Sequence, residues 1–348
     1  MRAVRWHRVV VTNLPEVTVV GAGLTGLAAA SLLVGKGLSV QVLEARQRLG
    51  GRIDSVYEAG EPVADLGPTW VWPEVQSIIA RWTARLGLVL YDQYEDGLTI
   101  VDAGQGQPAS RVQAPAQAGI RRLVGGPQAL IDALAVKIPP ASLVRNCRIR
   151  QIELTPSGVA CTDTLGRAFH SSTVIVAAPA RIAARDLQFA PALPLDLFDD
   201  LSAIPTWMAR HAKVVMRYER AFWRAQGLSG RIFSRAGPLA EVHDHCGPEG
   251  EHAALFGFAA WSTSQRISSP TSFETAIAAQ MQRCFGSKTP APVSITIKDW
   301  AADELVSTPA DLNEPMAHPA VQPESVLNPK WAQRLWFASA ETARHDPG

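Results

Sequence analysis

The sequence predicts an α/β fold: a domain built on buried parallel strands, joined to a second domain of mixed strands and helices. Three observations carry that prediction. A strand-helix-strand pattern opens the chain at residues 17–43. A short β-branched run that reads as a buried strand returns at 173–177, and a last strand is expected at 334–338. Between them, Pro179, Pro191, Pro194 and Pro205 mark a crossing into a segment with strands and an amphipathic helix of its own. The 348 residues accommodate about two domains of roughly 150 residues each. A composition of 47% apolar and 19% charged residues is that of a globular chain with a sizeable core.

The elements follow in order. Val17-Thr18-Val19-Val20 is a β-branched run that stops at Gly21. Residues 24–35 are small and apolar, as a helix packed on a sheet requires. Residues 39–43 form a second strand ending at Glu44, which completes a β-α-β unit. Within 76–86, Ile78, Ile79, Trp82 and Leu86 are placed on one helical face. Residues 101–119, rich in Gly, Gln, Ala and Pro, read as a loop or linker. A helix with Pro127 in its first turn spans 127–136. Strands are expected at 148–154, 158–162, 173–177, 213–218, 253–258 and 334–338, and an amphipathic helix at 271–284. No internal repeat is present.

Several function classes are set aside by composition. A net charge of +1 creates no field to attract nucleic acid or an anionic membrane surface. No run approaches the ~18 apolar residues of a membrane span. The N-terminus carries Arg2, Arg5 and Arg8 without an apolar core or small-residue cleavage site, so it does not read as a secretory signal. Cys147, Cys161, Cys246 and Cys284 are scattered, which suggests reduced thiols and a cytoplasmic protein. Ten tryptophans either line an aromatic cavity or pack the core, and core packing is the ordinary reading. His243-Asp244-His245-Cys246 superficially suggests a metal or thiol site. Alternation on a strand turns Cys246 away from the histidines, and Gly247-Pro248 favours a polar turn, so no metal is expected.

Chemistry concentrates at the first strand end. Gly21-Ala22-Gly23-Leu24-Thr25-Gly26 fits G-x-G-x-x-G. The first glycine permits the tight turn, the second admits a pyrophosphate, and the third lets helix and strand pack closely. The helix N-terminus stabilises phosphate charge. The six-residue pattern alone is weak, because glycine turns occur by chance. Here a strand precedes it, a helix follows, and Glu44 stands 23 residues after Gly21 at the next strand end, where a carboxylate accepts ribose hydroxyls. A structural turn with a surface glutamate accounts for less of this context than a Rossmann-like dinucleotide site does.

The next residues separate FAD from NAD. Glu44-Ala45-Arg46-Gln47-Arg48-Leu49-Gly50-Gly51-Arg52 resembles the E-A-x-x-R-x-G-G-R extension of the flavin monoamine oxidase family. Gly50 and Gly51 let backbone pass a second phosphate and Arg52 supplies a cation. The resemblance runs, with gaps, over nearly the whole chain. Asp65-Leu66-Gly67-Pro68-Thr69-Trp70 is similar to the loop that passes the flavin ring, and Gly125-Gly126-Pro127-Gln128-Ala129-Leu130 to the turn re-entering the FAD domain. The match at 145–149 implies that Ile149 makes a backbone contact to adenine. Lys213 lies in a segment resembling the family's K-x-x-x-x-Y-x-x-x-F-W, where the lysine holds a water against flavin N5; a solvent-facing strand-edge lysine is the competing reading. Lys298-Asp299-Trp300 resembles the K-x-W before the cavity wall, and Phe258 aligns with a wall aromatic, with core packing as its alternative. In 335–342, similar to the final flavin signature, Glu341 would meet the ribityl or phosphate region.

The departures are specific. Ser339 replaces a signature glycine, and Pro309-Ala310 stands where some members carry a Cys-Tyr pair, so FAD is expected to be non-covalent and Ala310 to open the substrate cavity. The span before Gly125 is short for the family. The chain ends at Asp346-Pro347-Gly348, before the expected terminal helix, and that ending implies an exposed apolar last strand. The resemblance implies an FAD-binding domain over 17–80, 123–202 and 320–348, and a mixed-sheet α+β substrate domain over 81–122 and 203–319. It also implies oxidation of a small-molecule amine to an imine, with hydride passing to flavin N5 and O2 or another electron acceptor reoxidising it. Lys213 and Trp300 would be the catalytic pair and Phe258 a cavity wall. Two other readings stay open: a desaturase or oxidase of an isoprenoid or porphyrin-like substrate, and a flavin-binding protein impaired in catalysis. A homodimer is also left open.

Overall fold

The computed structural model describes residues 14–104, 106–314 and 320–344. The arginines Arg2, Arg5 and Arg8 and the end Asp346-Pro347-Gly348, on which two expectations fall, lie outside the described residues.

A five-stranded, wholly parallel sheet forms the first layer system. Its order is Leu335–Phe337, Thr173–Val176, Val17–Val20, Val40–Leu43, Leu143–Val144. The β-branched runs of the central strands Val17–Val20 and Thr173–Val176 supply apolar side chains to both faces. Val17, Val19, Val40 and Val42 pack with Leu27, Ala30, Ile131 and Leu134 of the helices Leu24–Gly35 and Gln128–Ala135. Val20, Leu43, Val174 and Val176 face the other way, onto Ala183, Leu197 and Leu201. A four-stranded sheet (Ile149–Thr155, Gly158–Asp163, Ala168–Ser171 and Gln188–Ala190) joins this second core.

The second large sheet has seven strands in the order Ser294–Asp299, Ala212–Arg217, Ala254–Ala259, Leu239–Asp244, Leu228–Ser234, Leu98–Asp102, Ser110–Val112. It is mixed, because Leu228–Ser234 runs parallel to Leu98–Asp102 while the other pairings are antiparallel. One face packs on the helix Pro270–Phe285 through Val214, Met216, Val242, Leu255, Phe273, Ile277 and Met281. On the other, Val215 and Phe256 meet Ala64 and Leu66. The stretch that follows the strand Glu61–Asp65 is therefore held against the mixed sheet.

Four expectations are corrected or refined. The region 101–119 is not wholly loop. Leu98–Asp102 and Ser110–Val112 pair across it at the sheet edge, where Gly- and Pro-rich composition is tolerated because one side of the hairpin is unpaired. Ile78 is 39% exposed, while Ile79, Trp82 and Leu86 pack inward; at 100° per residue, neighbours 78 and 79 cannot share one narrow face. His243 and Asp244 end a strand instead of forming a polar turn, and His243, Asp244, His245 and Cys246 are all buried. In the last strand Leu335 and Phe337 are buried, and the apolar exposure is confined to Trp336. Among the described residues no helix is long and apolar enough to cross a membrane.

The packing of the first helix onto its strand sets a sharp test. A Cβ at Gly26 would lie 2.0 Å from the Gly21 carbonyl oxygen and 3.2 Å from the Ala177 Cβ. Gly26→Ala is expected to cost ~3 kcal/mol through overpacking, which calorimetry reads as a fall in melting temperature of several degrees. An unchanged melting temperature would show that helix and strand stand further apart.

Candidate active site

The turn between Val17–Val20 and Leu24–Gly35 is forced by its contacts. Gly21 takes φ +106°, and a Cβ there would meet the Ala177 carbonyl oxygen at 2.9 Å. Gly23 caps the helix with open space around its absent Cβ, the nearest atom being 3.9 Å away. The first-turn amides, including those of Leu24 and Thr25, have no intrahelical acceptor, and the first turn carries no acidic residue. Glu44, 6% exposed, reaches back across this turn. Its carboxylate accepts from Ala22 N at 2.7 Å and from Arg46 N at 2.8 Å. A carboxylate offers about four lone-pair positions, so two remain for the hydroxyls of a ribose.

The second glycine pair folds onto the first. Gly50 N donates to Ala22 O at 2.9 Å, and a Cβ at Gly51 would stand 3.2 Å from Gly23 Cα. Arg48 braces this crossing by donating to Gly51 O and Ile53 O, both at 2.8 Å, and by pairing with Asp54 at 3.0 Å. Ala45 follows Glu44 directly, and Arg46 is turned to Asp303 at 2.6 Å. Arg52 meets Glu341 at 2.5 Å, so two residues assigned separately to the phosphate and ribityl regions converge. That approach lacks hydrogen-bond alignment. Glu341 is fully buried and both its carboxylate oxygens are without a hydrogen-bond partner. A buried, unsatisfied acceptor is costly, and the hydroxyls of a ribityl chain are donors that would satisfy it. The donor set thus fits FAD. Ile149 lies in a core cluster, two residues beyond Cys147, whose amide donates to Glu44 O at 2.8 Å.

The stretch 65–70 links this cradle to the mixed sheet. A Cβ at Gly67 would fall 2.0 Å from Arg52 O, so only glycine passes there. Lys213, on the strand Ala212–Arg217, is 2% exposed. Its Nζ donates to Gly67 O at 2.8 Å and to the Thr69 hydroxyl, and lies 4.3 Å from the Phe256 ring centroid. It is not a solvent-facing strand-edge lysine. Burial lowers its pKa to about 7, with Asp65 opposing the shift and Arg122 adding to it. Trp300 is buried beside Ala209 and Val306, and its indole N–H donates to Leu66 O at 3.0 Å. Trp300 therefore braces the stretch from below. Pro68 is exposed at its crest, and Trp70 turns its indole N–H to Gln93 Oε1 at 2.9 Å.

Strand register assembles a wall from residues that are distant in sequence. Lys213 stands opposite Phe258, and Phe258 opposite Glu241; one step along, Val215, Phe256 and His243 form the next row. Directly opposed residues share a face. Trp70 packs edge-on to His243 and Phe256 at 4.7 and 5.2 Å, while Phe258 lies 5.7 Å from Phe256 and 6.3 Å from His211. Burial, reinforced by Arg210 and Arg266, lowers the His211 pKa and favours its neutral form. Ala310 sits apart from this register, on the short helix Pro309–Asn313, where Asp311 binds Arg181 and the Thr206 amide, each at 2.9 Å. The sequence reading assigned no role to His211, Glu241 or Arg122. Alternation at 241, 243 and 245 is a signal for Glu241 alone, and His211 and Arg122 carry none in the local sequence.

Comparison with known proteins agrees with this geometry. Residues 109–348 match the family described as "Flavin containing amine oxidoreductase", and residues 19–86 match "NAD(P)-binding Rossmann-like domain". The probable flavin-containing monoamine oxidase A of Dictyostelium discoideum is 26% identical over 185 residues, covering 53% of this chain and 40% of that protein. Putrescine oxidase of Kocuria rosea is 36% identical over 125 residues, covering 35% of this chain and 26% of that protein. The matched region thus spans two fifths or less of these curated relatives. Among solved structures, cyclohexylamine oxidase from Brevibacterium oxydans IH-35A superposes with a TM-score of 0.80 at 19% identity, covering 96% of this chain and 95% of that one. Putrescine oxidase bound to putrescine gives 0.76 at 20% identity with the same coverage. At such identities the structural likeness speaks for the fold. The family match extends over more than half of the chain: the protein belongs to the flavin containing amine oxidoreductase family and takes FAD as its cofactor.

Proposed function

We propose that the chain is an FAD-dependent oxidoreductase that oxidises a small-molecule amine at its C–N bond. The observation that carries this reading is Lys213, buried in the mixed sheet and bonded to the Gly67 carbonyl and the Thr69 hydroxyl beside the phosphate clamp. FAD held there would supply a two-electron acceptor for the hydride of the amine α-carbon, with O2 as the final oxidant and peroxide as its product.

The residues act around that chemistry. The amides of 23–25 hold the pyrophosphate with the helix dipole, Glu44 grips the ribose, and Arg52 keeps a cation at the second phosphate crossing. An ammonium has three donors; two of those on Lys213 are taken by Gly67 and Thr69, which leaves one to hold a water. Trp70, Phe256 and Phe258 supply an aromatic wall that keeps bulk water from the amine. We assign 17–80, 123–202 and the terminal segment from 320 to the FAD-binding domain, and 81–122 and 203–319 to the substrate domain.

Four outcomes check the proposal. Protein purified with FAD and mixed anaerobically with a panel of primary amines is expected to lose its flavin absorbance with at least one of them, and to release peroxide on admission of air. A flavin that dithionite bleaches but no amine does would refute amine oxidation. Glu44→Gln removes a charged acceptor from the ribose, so its FAD Kd, read by fluorescence quenching, should rise about 10-fold or more; an unchanged Kd would place the ribose elsewhere. Lys213→Met should retain FAD and lower kcat by about 100-fold or more. The folded-state pKa of Lys213 lies below its unfolded value of about 10.4, so the unfolded state binds the extra proton across that window. Wild-type stability should therefore rise from about pH 7 to pH 10 relative to Lys213→Met, and parallel melting curves would contradict a buried lysine.

A further inference from the structure

Behind Lys213 lies a group of buried polar side chains that the proposed reaction does not use. Asp65, Arg122 and His245 are 3%, 5% and 0% exposed. His245 accepts the Asp65 backbone N–H at its Nε2, 2.8 Å away, which leaves the proton on Nδ1. Burial, together with Arg122 and Lys213, holds the His245 pKa well below the ordinary histidine range, so its 3.4 Å approach to Asp65 Oδ2 is that of a neutral ring. Arg122 donates to Cys246 O at 2.7 Å and its guanidinium lies over the Tyr91 ring, so it finds carbonyl and aromatic partners. This leaves two buried cations, Lys213 and Arg122, and one buried carboxylate.

The groups facing Lys213 can be followed element by element. From Ser294–Asp299 comes Lys298, whose ammonium is taken by Asp303 at 3.2 Å and Asp54 at 3.7 Å. From Ala254–Ala259 come Phe256 and Phe258, without charge, and beyond Phe258 stands Glu241. From the end of Leu239–Asp244 comes the neutral His245, and from Arg121–Leu123 comes Arg122. From the end of Glu61–Asp65 comes Asp65; burial raises its pKa, and Lys213, Arg122 and the Thr69 hydroxyl that accepts from Lys213 all oppose that rise. Asp65 and Arg122 are the charges that act on the lysine, with opposite sign. Space is kept for the carboxylate: a Cβ at Gly126, itself at φ +66°, would lie 2.3 Å from Asp65 Oδ1. The other oxygen, Oδ2, has no hydrogen-bond partner.

We propose that Asp65 is the buried counter-ion that sets the charge state of Lys213, acting through Thr69, and is therefore a positioning residue for amine oxidation. The inference rests on the reading of Lys213 given above. A carboxylate held behind the lysine stabilises its ammonium form against burial, and Arg122 limits that stabilisation. The lysine is thus kept able to gain and lose a proton near neutrality, where a water at the flavin needs both an acceptor and a donor.

The test uses the FAD-loaded protein with D65N, K213M and the double variant. In wild type, kcat/KM for an oxidised amine is expected to show an acid limb from Lys213. D65N should move it down by about one pH unit or more, and T69V should shift it the same way while T69S does not. K213M should abolish the limb. Independently of turnover, melting temperatures at pH 6 and pH 9 form a double-mutant cycle. D65N should lower the melting temperature more in the lysine background than in the K213M background at pH 6, and the gap should narrow at pH 9, where the lysine is neutral. Additive melting shifts at both pH values, or an acid limb that D65N leaves in place, would overturn the proposal. Should D65N alone fail to fold, K213M must restore folding in the double variant, because the unpaired ammonium is then the cause; a double variant equally unfolded counts against it. If the wild-type protein oxidises no amine, the reaction reading fails while the melting cycle still decides the counter-ion.

Discussion

One stretch of backbone, Asp65 to Trp70, depends on ties that come from the mixed sheet, and both halves of the site depend on that stretch. Lys213 holds Gly67 and Thr69, Trp300 holds the Leu66 carbonyl, and His245 holds the Asp65 amide. Above the tied backbone, Gly67 presses on Arg52 so closely that no methyl fits. The proposed cradle for the dinucleotide and the proposed wall for the substrate are therefore positioned against the same six residues. A polar side chain buried to satisfy a backbone carbonyl costs little when its partner is fixed, and here it also removes the slack between two sheets that are far apart in sequence.

That arrangement concentrates unfavourable terms in a small volume. Lys213, Arg122 and Asp65 are each nearly out of reach of water, and Glu341 keeps both oxygens without hydrogen bonds. Replacing such groups with apolar residues of similar volume is often neutral or stabilising. The proposed function explains their presence by what they would do to charge beside the cofactor, not by what they add to the fold. The surrounding structure carries the stability, through two cores on either face of the parallel sheet and a third beneath the helix Pro270–Phe285.

Much of this was legible in the residues because local rules and the fold agreed. The run Val17-Thr18-Val19-Val20, the glycines at 21, 23 and 26, and Glu44 at the second strand end sit where strand length, turn geometry and helix packing require, and the helix Leu24–Gly35 has the bounds its composition suggested. The nine residues from Glu44 pointed to a second phosphate crossing, and Gly50 and Gly51 do cross Gly23. What escaped was long-range. Residues 101–112 pair through edge-strand contacts that local composition does not reveal. His243 and His245 looked like turn residues because Gly247-Pro248 follows, yet the strand continues to Asp244 and buries them under Trp70 and Phe256. Lys213 carried a familiar pattern, but its proposed counter-charge lies 148 positions away at Asp65, and it is the bonds from Lys213 to Gly67 and Thr69 that bring the two segments together. The bond from the Trp300 indole N–H to the Leu66 carbonyl likewise carries no local signal.

The central claim is that the turn 21–26, Glu44, Arg52 and Lys213 address one FAD molecule. A crystal structure of the protein grown with FAD tests it most directly. The account predicts pyrophosphate density over the amides of 23–25, ribose hydroxyls within hydrogen-bond distance of Glu44, and the isoalloxazine ring beside Gly67–Trp70 with Lys213 facing its N5 edge. Dinucleotide density elsewhere, or a ring lying on the far side of the parallel sheet from Lys213, would contradict it.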